Sequence, residues 1–470
     1  MEQTSLIQLL RLLDTRTRTR LKHYVHSPFF NRHEGLKRLA DWILGFAPEF
    51  KHPHLTKEKA WLVVAPGKPY DALRVNNHLS NLTQLAYGFL AQLELEKQPA
   101  LKQIWALQGL QERQADTLLD RNLRRADQLL EQADARSADY RLLSWQLQAV
   151  KDRAALYRQQ RKYSPFLQAQ NDELDAFFWC SKLRLACEMV SRSGVIQTGY
   201  KATFLDILKQ GATATPVLSD NPVVQLYLAA LKMLEEGQEA DYEVCSALLQ
   251  RNRHLISIEE RYNLYHYLLN FCIRQINSGT HGYYRQAFGQ YQNMLRDEVL
   301  LINGALSQWS FKNIITTGIR LGELEWVSHF METYQVWLPE EDRVNALAFN
   351  RAALHYARSD YGAALTALQA VDFTDDAYYL GAKIIQLKSY FELRESAAFF
   401  ALIQSFEQYL RRNPRLSDYR RTANLNFLHL VRKAFELKPG TREAALWVTS
   451  VQQTYPLANK DWLLQIPTSR

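Results

Sequence analysis

Histidine and glutamate near residue 33 come closest to a catalytic spacing. His33-Glu34 opens the H-E-x-x-H pattern, in which two histidines one helical turn apart hold zinc and the glutamate activates water. The second histidine position is Lys37, whose cationic side chain cannot ligate a metal. His23 and His26 are spaced as a ligand pair, but nothing nearby completes a set of four, so they read as surface or internally satisfied histidines. Gly67-Lys68 stands where a phosphate-binding loop would end. Position 62 is Leu instead of the first glycine and Pro69 follows the lysine, so that loop cannot form. The four cysteines, Cys180, Cys187, Cys245 and Cys272, contain no C-x-x-C pair and read as small buried hydrophobes in a reduced state. A G-x-S-x-G elbow and a glycine-rich dinucleotide loop are both missing. The sequence therefore assigns no catalytic, cofactor-binding or metal-ligating residue, and a non-enzymatic chain without cofactor is expected.

Charged and aromatic clusters have structural readings too. Glu259-Glu260 and Glu340-Glu341-Asp342 fall at expected helix starts, where the macrodipole favours acids. Tyr283-Tyr284, Tyr378-Tyr379 and Phe399-Phe400 could be stacking platforms, but neighbours on a helix point about 100° apart, so each pair offers one ring to any face. Packing between helices is the expectation. Arg16, Arg18 and Arg20 alternate with threonine and would form a stripe on a strand. The leucine pattern on either side has helical period, which scatters them. The basic stretch Lys151 to Lys162 likewise spreads over several faces and reads as a solvated surface.

Elements must position these residues, and the composition selects helices. Glycine (18) and proline (14) are scarce in 470 residues, while 47% of residues are hydrophobic. That balance disfavours turn-rich β folds and long disordered linkers. The formal charge of +8 sits toward the start: residues 1–100 carry 14 Lys/Arg against 9 Asp/Glu, whereas residues 201–470 carry 28 of each. An anionic partner, if any, belongs to the N-terminal part. The first residues, Met1-Glu2-Gln3-Thr4, lack an export signal's basic region, and apolar runs such as Ala60 to Ala65 fall short of the roughly 18 residues that cross a bilayer. A cytoplasmic chain without membrane contact is expected.

Three segments follow from the pattern. Residues 1–98 form a helical module broken by prolines. Ser27-Pro28 ends one helix, Asn31 is placed to cap the next, and Phe29 and Phe30 are expected to plug the corner. Thr56 caps a short helix that Ala65-Pro66-Gly67-Lys68-Pro69 stops. A longer helix then starts near Asp71, with Val75, Leu79, Leu82, Ala86, Phe89, Leu90 and Leu93 on one side and Asn76, Asn77, Ser80, Asn81 and Gln84 on the other. Residues 99–215 read as long helical hairpins or a bundle, with breaks near Ala135–Ala138 and at Ser164-Pro165. From residue 216 to residue 470 the chain becomes a run of helix pairs. Asn350 to Leu368 is similar to a tetratricopeptide unit, with Ala352 and Ala364 as small packing residues, Tyr361 as the aromatic after the turn and Leu368 as the closing apolar position. Leu324, Tyr361 and Ser396 are 37 and 35 residues apart, near the period of about 34, and Tyr284 with Ala287 marks a weaker copy. The expected architecture is all-α: an N-terminal helical module followed by an α-solenoid of tetratricopeptide-like pairs.

The motifs Ser27-Pro28-Phe29-Phe30-Asn31, Leu55-Thr56-Lys57-Glu58-Lys59, Pro66-Gly67-Lys68-Pro69-Tyr70, Asn313-Ile314-Ile315-Thr316 and Tyr409-Leu410-Arg411-Arg412-Asn413 together resemble an uncharacterised family of all-helical bacterial proteins with tetratricopeptide-like repeats. That resemblance implies a fold and no activity. Residues 36–95 also resemble the helical part of the winged-helix domain of bacterial transcriptional activators. This second likeness implies a recognition helix with Arg74, Asn77, His78 and Asn81 facing a DNA groove. The β-hairpin of a winged helix is not written after it, since Gln92 to Lys97 continues without strand alternation. The leading expectation is a scaffold holding a protein or peptide on the concave side of its repeats. The alternative is a regulator with an N-terminal DNA-binding module and a helical repeat sensor.

Overall fold

The computed structural model describes residues 1–133, 136–158, 163–193, 199–302, 304–369, 376–438 and 440–466. Among these the chain is helical apart from one short antiparallel pair, β1 (Leu301–Ile302) and β2 (Ala305–Leu306), with Leu301 opposite Leu306. The all-α class is as expected. Contacts divide the chain into two units: Met1–Lys182 with Gln210–Val224, and Leu183–Lys209 with Gln225–Arg470.

The first unit opens with α1 (Ser5–Leu12), α2 (Thr15–His26), α3 (Glu34–Leu44), α4 (Lys57–Val64) and α5 (Ala72–Glu96). Local chemistry sets the starts: Asp14, Thr56 and Asp71 each accept a backbone N–H of the first turn of α2, α4 and α5. Helix α5 packs against all four others. Its apolar side, Val75, Leu79, Leu82, Ala86 and Phe89, closes a core with Ile7, Val25, Leu39, Ile43 and Trp61. Leu90 is only half-buried and Leu93 packs at that core's edge.

Two corner expectations need correction. The cap of α3 is His33, whose Nδ1 accepts the Leu36 N–H at 3.3 Å; Asn31 is buried, donates to the Val25 carbonyl and accepts from the His33 N–H. Phe29 is 87% exposed and does not plug the corner, because Phe30 takes the stacking position on Tyr24 at 4.0 Å.

Next come α6 (Pro99–Glu112), α7 (Asp116–Glu131), α8 (Ala138–Arg158) and α9 (Pro165–Ser193). The first three share a core of Ile104, Leu107, Leu119, Ala126, Leu147 and Val150. The break expected near Ala135–Ala138 falls partly outside the described residues, as do Arg161 and Lys162 of the basic stretch. Pro165 does begin a helix, at the Ser164-Pro165 break. Short α10 (Leu205–Ala214) and α11 (Pro216–Ser219) lead to α12 (Pro222–Glu236) and α13 (Glu239–Asn252).

The second unit continues through α14 (Ile258–Asn277), α15 (Tyr283–Arg296), α16 (Gln308–Arg320), α17 (Leu324–Tyr334), α18 (Glu340–Ala357), α19 (Tyr361–Ala367), α20 (Asp376–Leu393), α21 (Ser396–Arg412), α22 (Asp418–Glu436), α23 (Arg442–Gln453) and α24 (Lys460–Gln465). From α13 to α23 each helix packs on the next, and α18 also packs on both α16 and α20. Leu324, Tyr361 and Ser396 are each the first residue of α17, α19 and α21, so their even spacing marks one structural position. Close approach needs small residues. A Cβ on Gly318 would lie 2.5 Å from Val327 Cγ2, and one on Gly381 would lie 2.7 Å from the Phe349 ring. Ala352 and Ala364 are fully buried.

The same turn joins these pairs. Gly322, Ser359 and Arg394 hold positive φ (76°, 60° and 61°), two residues before α17, α19 and α21. The following N–H reaches back to a carbonyl of the preceding helix: Glu323 to Gly318 at 3.0 Å, Asp360 to His355 at 2.9 Å and Glu395 to Tyr390 at 3.1 Å. Gln114, at φ 55°, does the same between α6 and α7, with the Ala115 N–H on the Leu110 carbonyl at 3.1 Å. Gly237 and Gly440 also have positive φ two residues before α13 and α23.

At the first of these pairs a buried carboxylate organises the entry. Ser257 and Glu260 form a capping box at α14, and Glu260 also accepts from the Tyr227 hydroxyl of α12 at 2.8 Å. Burial and the adjacent carboxylate push the Tyr227 phenol well above its ordinary pKa, which keeps it a donor.

Candidate functional site

Of the four residues singled out on α5, Arg74, Asn77 and Asn81 are exposed at helical spacing on one side. Arg74 turns back to Asp71 (3.2 Å), the cap of its own helix. His78 departs from the expectation that it faces outward. It is half-buried, 5.1 Å from the His33 ring and 6.4 Å from Trp61, and its Nδ1 has no partner. Desolvation, then the nearby His33 and Arg74, hold its pKa below the usual imidazole range. His78 thus belongs to the packing of the module. Helix α5 runs on to Glu96 and α6 starts at Pro99, so residues after α5 form no β-hairpin. The arginines of α2 scatter as expected: Arg20 crosses to Glu96 at 2.6 Å, while Arg18 lies over the Phe50 ring.

A second surface lies on α18, the first helix of one later pair. One side of α18 carries Val344, Leu347, Ala348, Arg351 and His355, and with Ala363, Thr366 and Ala367 of α19 it lines a cleft of about 610 Å³. Val344 is 67% exposed there. Apolar side chains with one arginine and one histidine suit a peptide carrying apolar and acidic groups.

Farther along, the chain's own end lies across three first helices of the later pairs. The Asn426 amide of α22 donates to the Pro456 carbonyl at 2.8 Å, and the Ala458 N–H donates to the Ala423 carbonyl at 3.1 Å. Lys388 of α20 donates to the Asn459 side chain at 2.7 Å and lies over the Trp462 ring at 5.0 Å. Trp462 meets Phe391 of α20 and Phe427 of α22, and its indole N–H donates to the Tyr356 hydroxyl of α18 at 2.8 Å. Leu463 and Ile466 are buried in the same core. The amino group of Lys388 is stripped of water, and Arg320 adds repulsion. Together they pull its pKa down to about 7, against the opposing pull of Glu392 and Asp461.

The remaining motifs act as corners. Tyr409 and Asn413 both donate to Asp376 Oδ1, at 2.6 and 2.9 Å, tying the end of α21 to the start of α20. These bonds hold the Asp376 carboxyl below the usual range. Trp61 donates to the Pro69 carbonyl at 2.7 Å, across the turn made by Gly67 at φ 78°. All four cysteines are buried and outside any disulfide, and burial raises Cys245 to about 12 and Cys272 to about 11. Thiols so protonated neither attack nor bind metal readily. Among the described residues no helix is long and apolar enough to cross a membrane, and no group of three or more His, Cys, Asp or Glu side chains gathers at one point.

The turn before Tyr361 was anticipated from the sequence, but the left-handed conformation shared by these turns and the folded-back end were not. Of Gly322, Ser359 and Arg394, only the glycine announces a left-handed turn by its type. The chain matches no family model, no curated protein and no solved structure.

Proposed function

We propose that this protein is a non-enzymatic scaffold whose later helix pairs form a tetratricopeptide-like array holding a protein or peptide segment on the side lined by their first helices. One observation carries the reading. Successive pairs are closed by the same left-handed turn, and the first helix of one pair, α18, leaves a partly apolar stripe unpacked beside a cleft. Repeats that stack in this way expose an extended surface in place of a closed pocket, which suits a chain-like ligand. Arg351 and His355 favour acidic residues in that ligand.

Selection from a random peptide library against the full-length protein tests it. Enriched peptides should lose at least about tenfold in affinity, roughly 1.4 kcal/mol, when Val344→Asp and Arg351→Glu are introduced together. Peptides that bind both forms equally would place recognition elsewhere, and no enrichment would end the reading. A second reading, DNA binding by the first module, is favoured by Arg74, Asn77 and Asn81 sharing one exposed side and by the local basic excess. Its test is salt-sensitive binding of duplex DNA by the full chain, weakened by Arg74→Ala. Absence of binding at low salt rules it out.

A further inference from the structure

We infer that residues 455–466 are an intramolecular ligand, covering in cis a surface on α18, α20 and α22 that accepts a short helical peptide bearing a tryptophan. The inference rests on the scaffold reading and deepens it by naming the ligand's chemistry.

The reach of the segment is the first argument. A helix that only seals a stack has to cover the pair before it, here α22 and α23. Helix α24 does pack on both. Yet Asn459 and Trp462 go two first helices further back, to Lys388 and Phe391 on α20 and Tyr356 on α18. Sealing does not need those contacts.

The second argument is the kind of contact. The approach to α24 is held through its main chain, by Asn426 on the Pro456 carbonyl and by Ala423 on the Ala458 N–H. Main-chain bonds hold any extended segment, and pockets for particular side chains then choose among segments. The pocket here takes an indole. Phe391 and Phe427 meet its ring, Lys388 caps its face and Tyr356 accepts its N–H. An indole with both its ring and its N–H satisfied is a typical recognition anchor. Leu463 and Ile466 supply apolar positions one and four residues after it, the spacing of one side of a helix. The surface is thus specific for a peptide reading Asn, then Trp-Leu three residues on, then an apolar residue.

The third argument is cost. The amino group of Lys388 sits desolvated and donates to the neutral amide oxygen of Asn459. A junction built only for stability would place an apolar side chain there. A cation that loses water when the segment docks and regains it when the segment leaves makes docking reversible.

The test uses full-length protein and a fluorescent synthetic peptide of residues 455–466. Wild type should bind it weakly, because the tethered copy competes at an effective concentration near millimolar. Trp462→Ala should loosen the tethered copy and raise peptide affinity by about tenfold or more. Adding Asn426→Ala should weaken that binding again. Hydrogen exchange supplies a second readout: amides of 461–466 should exchange through local opening, faster than those of α22. The inference is overturned if Trp462→Ala keeps a cooperative urea transition but gains no affinity. It is equally overturned if Trp462→Ala does not fold, or if 461–466 exchange only with global unfolding, since the segment is then fixed core. Library peptides bound at the α18 cleft alongside a failed displacement would sink this inference and leave the scaffold reading standing. Displacement without any library hit would do the reverse.

Discussion

At the scale of single residues, Lys388 has a consequence for stability that pH exposes. Its pKa is about 7 in the folded chain against 10.5 unfolded, so between those values the unfolded state holds the extra proton. Stability from this group therefore rises with pH across that window, and the full cost of the desolvated ammonium is present below it. Lys388→Met keeps the length of the stem and removes the charge. The variant should exceed wild type in urea midpoint most at about pH 6, with the lead shrinking toward about pH 10. A lead that stays constant across the window would show that the amino group is solvated. Other residues that drew attention in the sequence act as fasteners. Asn413, Tyr409 and Asn31 each bind across a corner, and the Asn31 result shows the limit of local reading. Its type fitted a helix cap, but the partner that claims it, the Val25 carbonyl, belongs to the helix before.

Among elements, the turns that close the pairs carry a prediction of their own. Ser359 is exposed and sits at φ 60°, where a Cβ crowds the backbone. Ser359→Gly removes that strain, at the cost of a looser unfolded chain, and should raise stability by about 0.5 kcal/mol. Gly381→Ala works the other way, because its new Cβ would meet the Phe349 ring and should cost about 1–3 kcal/mol. Urea titrations followed by circular dichroism measure both; equal midpoints for Ser359→Gly and wild type would mean the turn stores no strain. Much of the element layer was legible beforehand. The Thr56 cap, the helix start near Asp71 and the buried side of α5 follow from capping chemistry and a period of 3.6, both of which are local. The landmarks Leu324, Tyr361 and Ser396 were visible for the same reason. Of the turn residues before them only Gly322 was, since serine and arginine are held at positive φ by the bonds of the turn. Phe29 and Phe30 show a related failure: the sequence offers two identical rings, and only the position of Tyr24 decides which one packs.

For the whole molecule, the way cores are partitioned decides what can fold alone. Every buried member of the first core cluster lies between Leu6 and Phe89 and the next cluster begins at Ala100, while contacts keep Met1–Lys182 in one unit and α5 packs on α6. The division into two units is different, because its three breaks fall inside α9, between Lys182 and Leu183, inside α10, between Lys209 and Gln210, and inside α12, between Val224 and Gln225. Cutting there severs a helix and leaves its remaining turns without their continuation. A fragment of residues 1–98 should therefore be soluble and helical, with a cooperative urea transition worth roughly 5 kcal/mol for a chain of this size. A fragment ending at Lys182 should lose the later part of α9 and aggregate or unfold at lower urea than the parent chain. The folded-back end is the opposite case, because its contacts join Trp462 to Tyr356 across 106 positions, and no periodicity within either segment encodes that pairing. Circular dichroism of the 1–98 fragment decides the partition. A sigmoidal melt makes it a module on which the exposed side of α5 can be tested for DNA in isolation, and a broad non-cooperative melt would mean that its core depends on helices beyond Pro99.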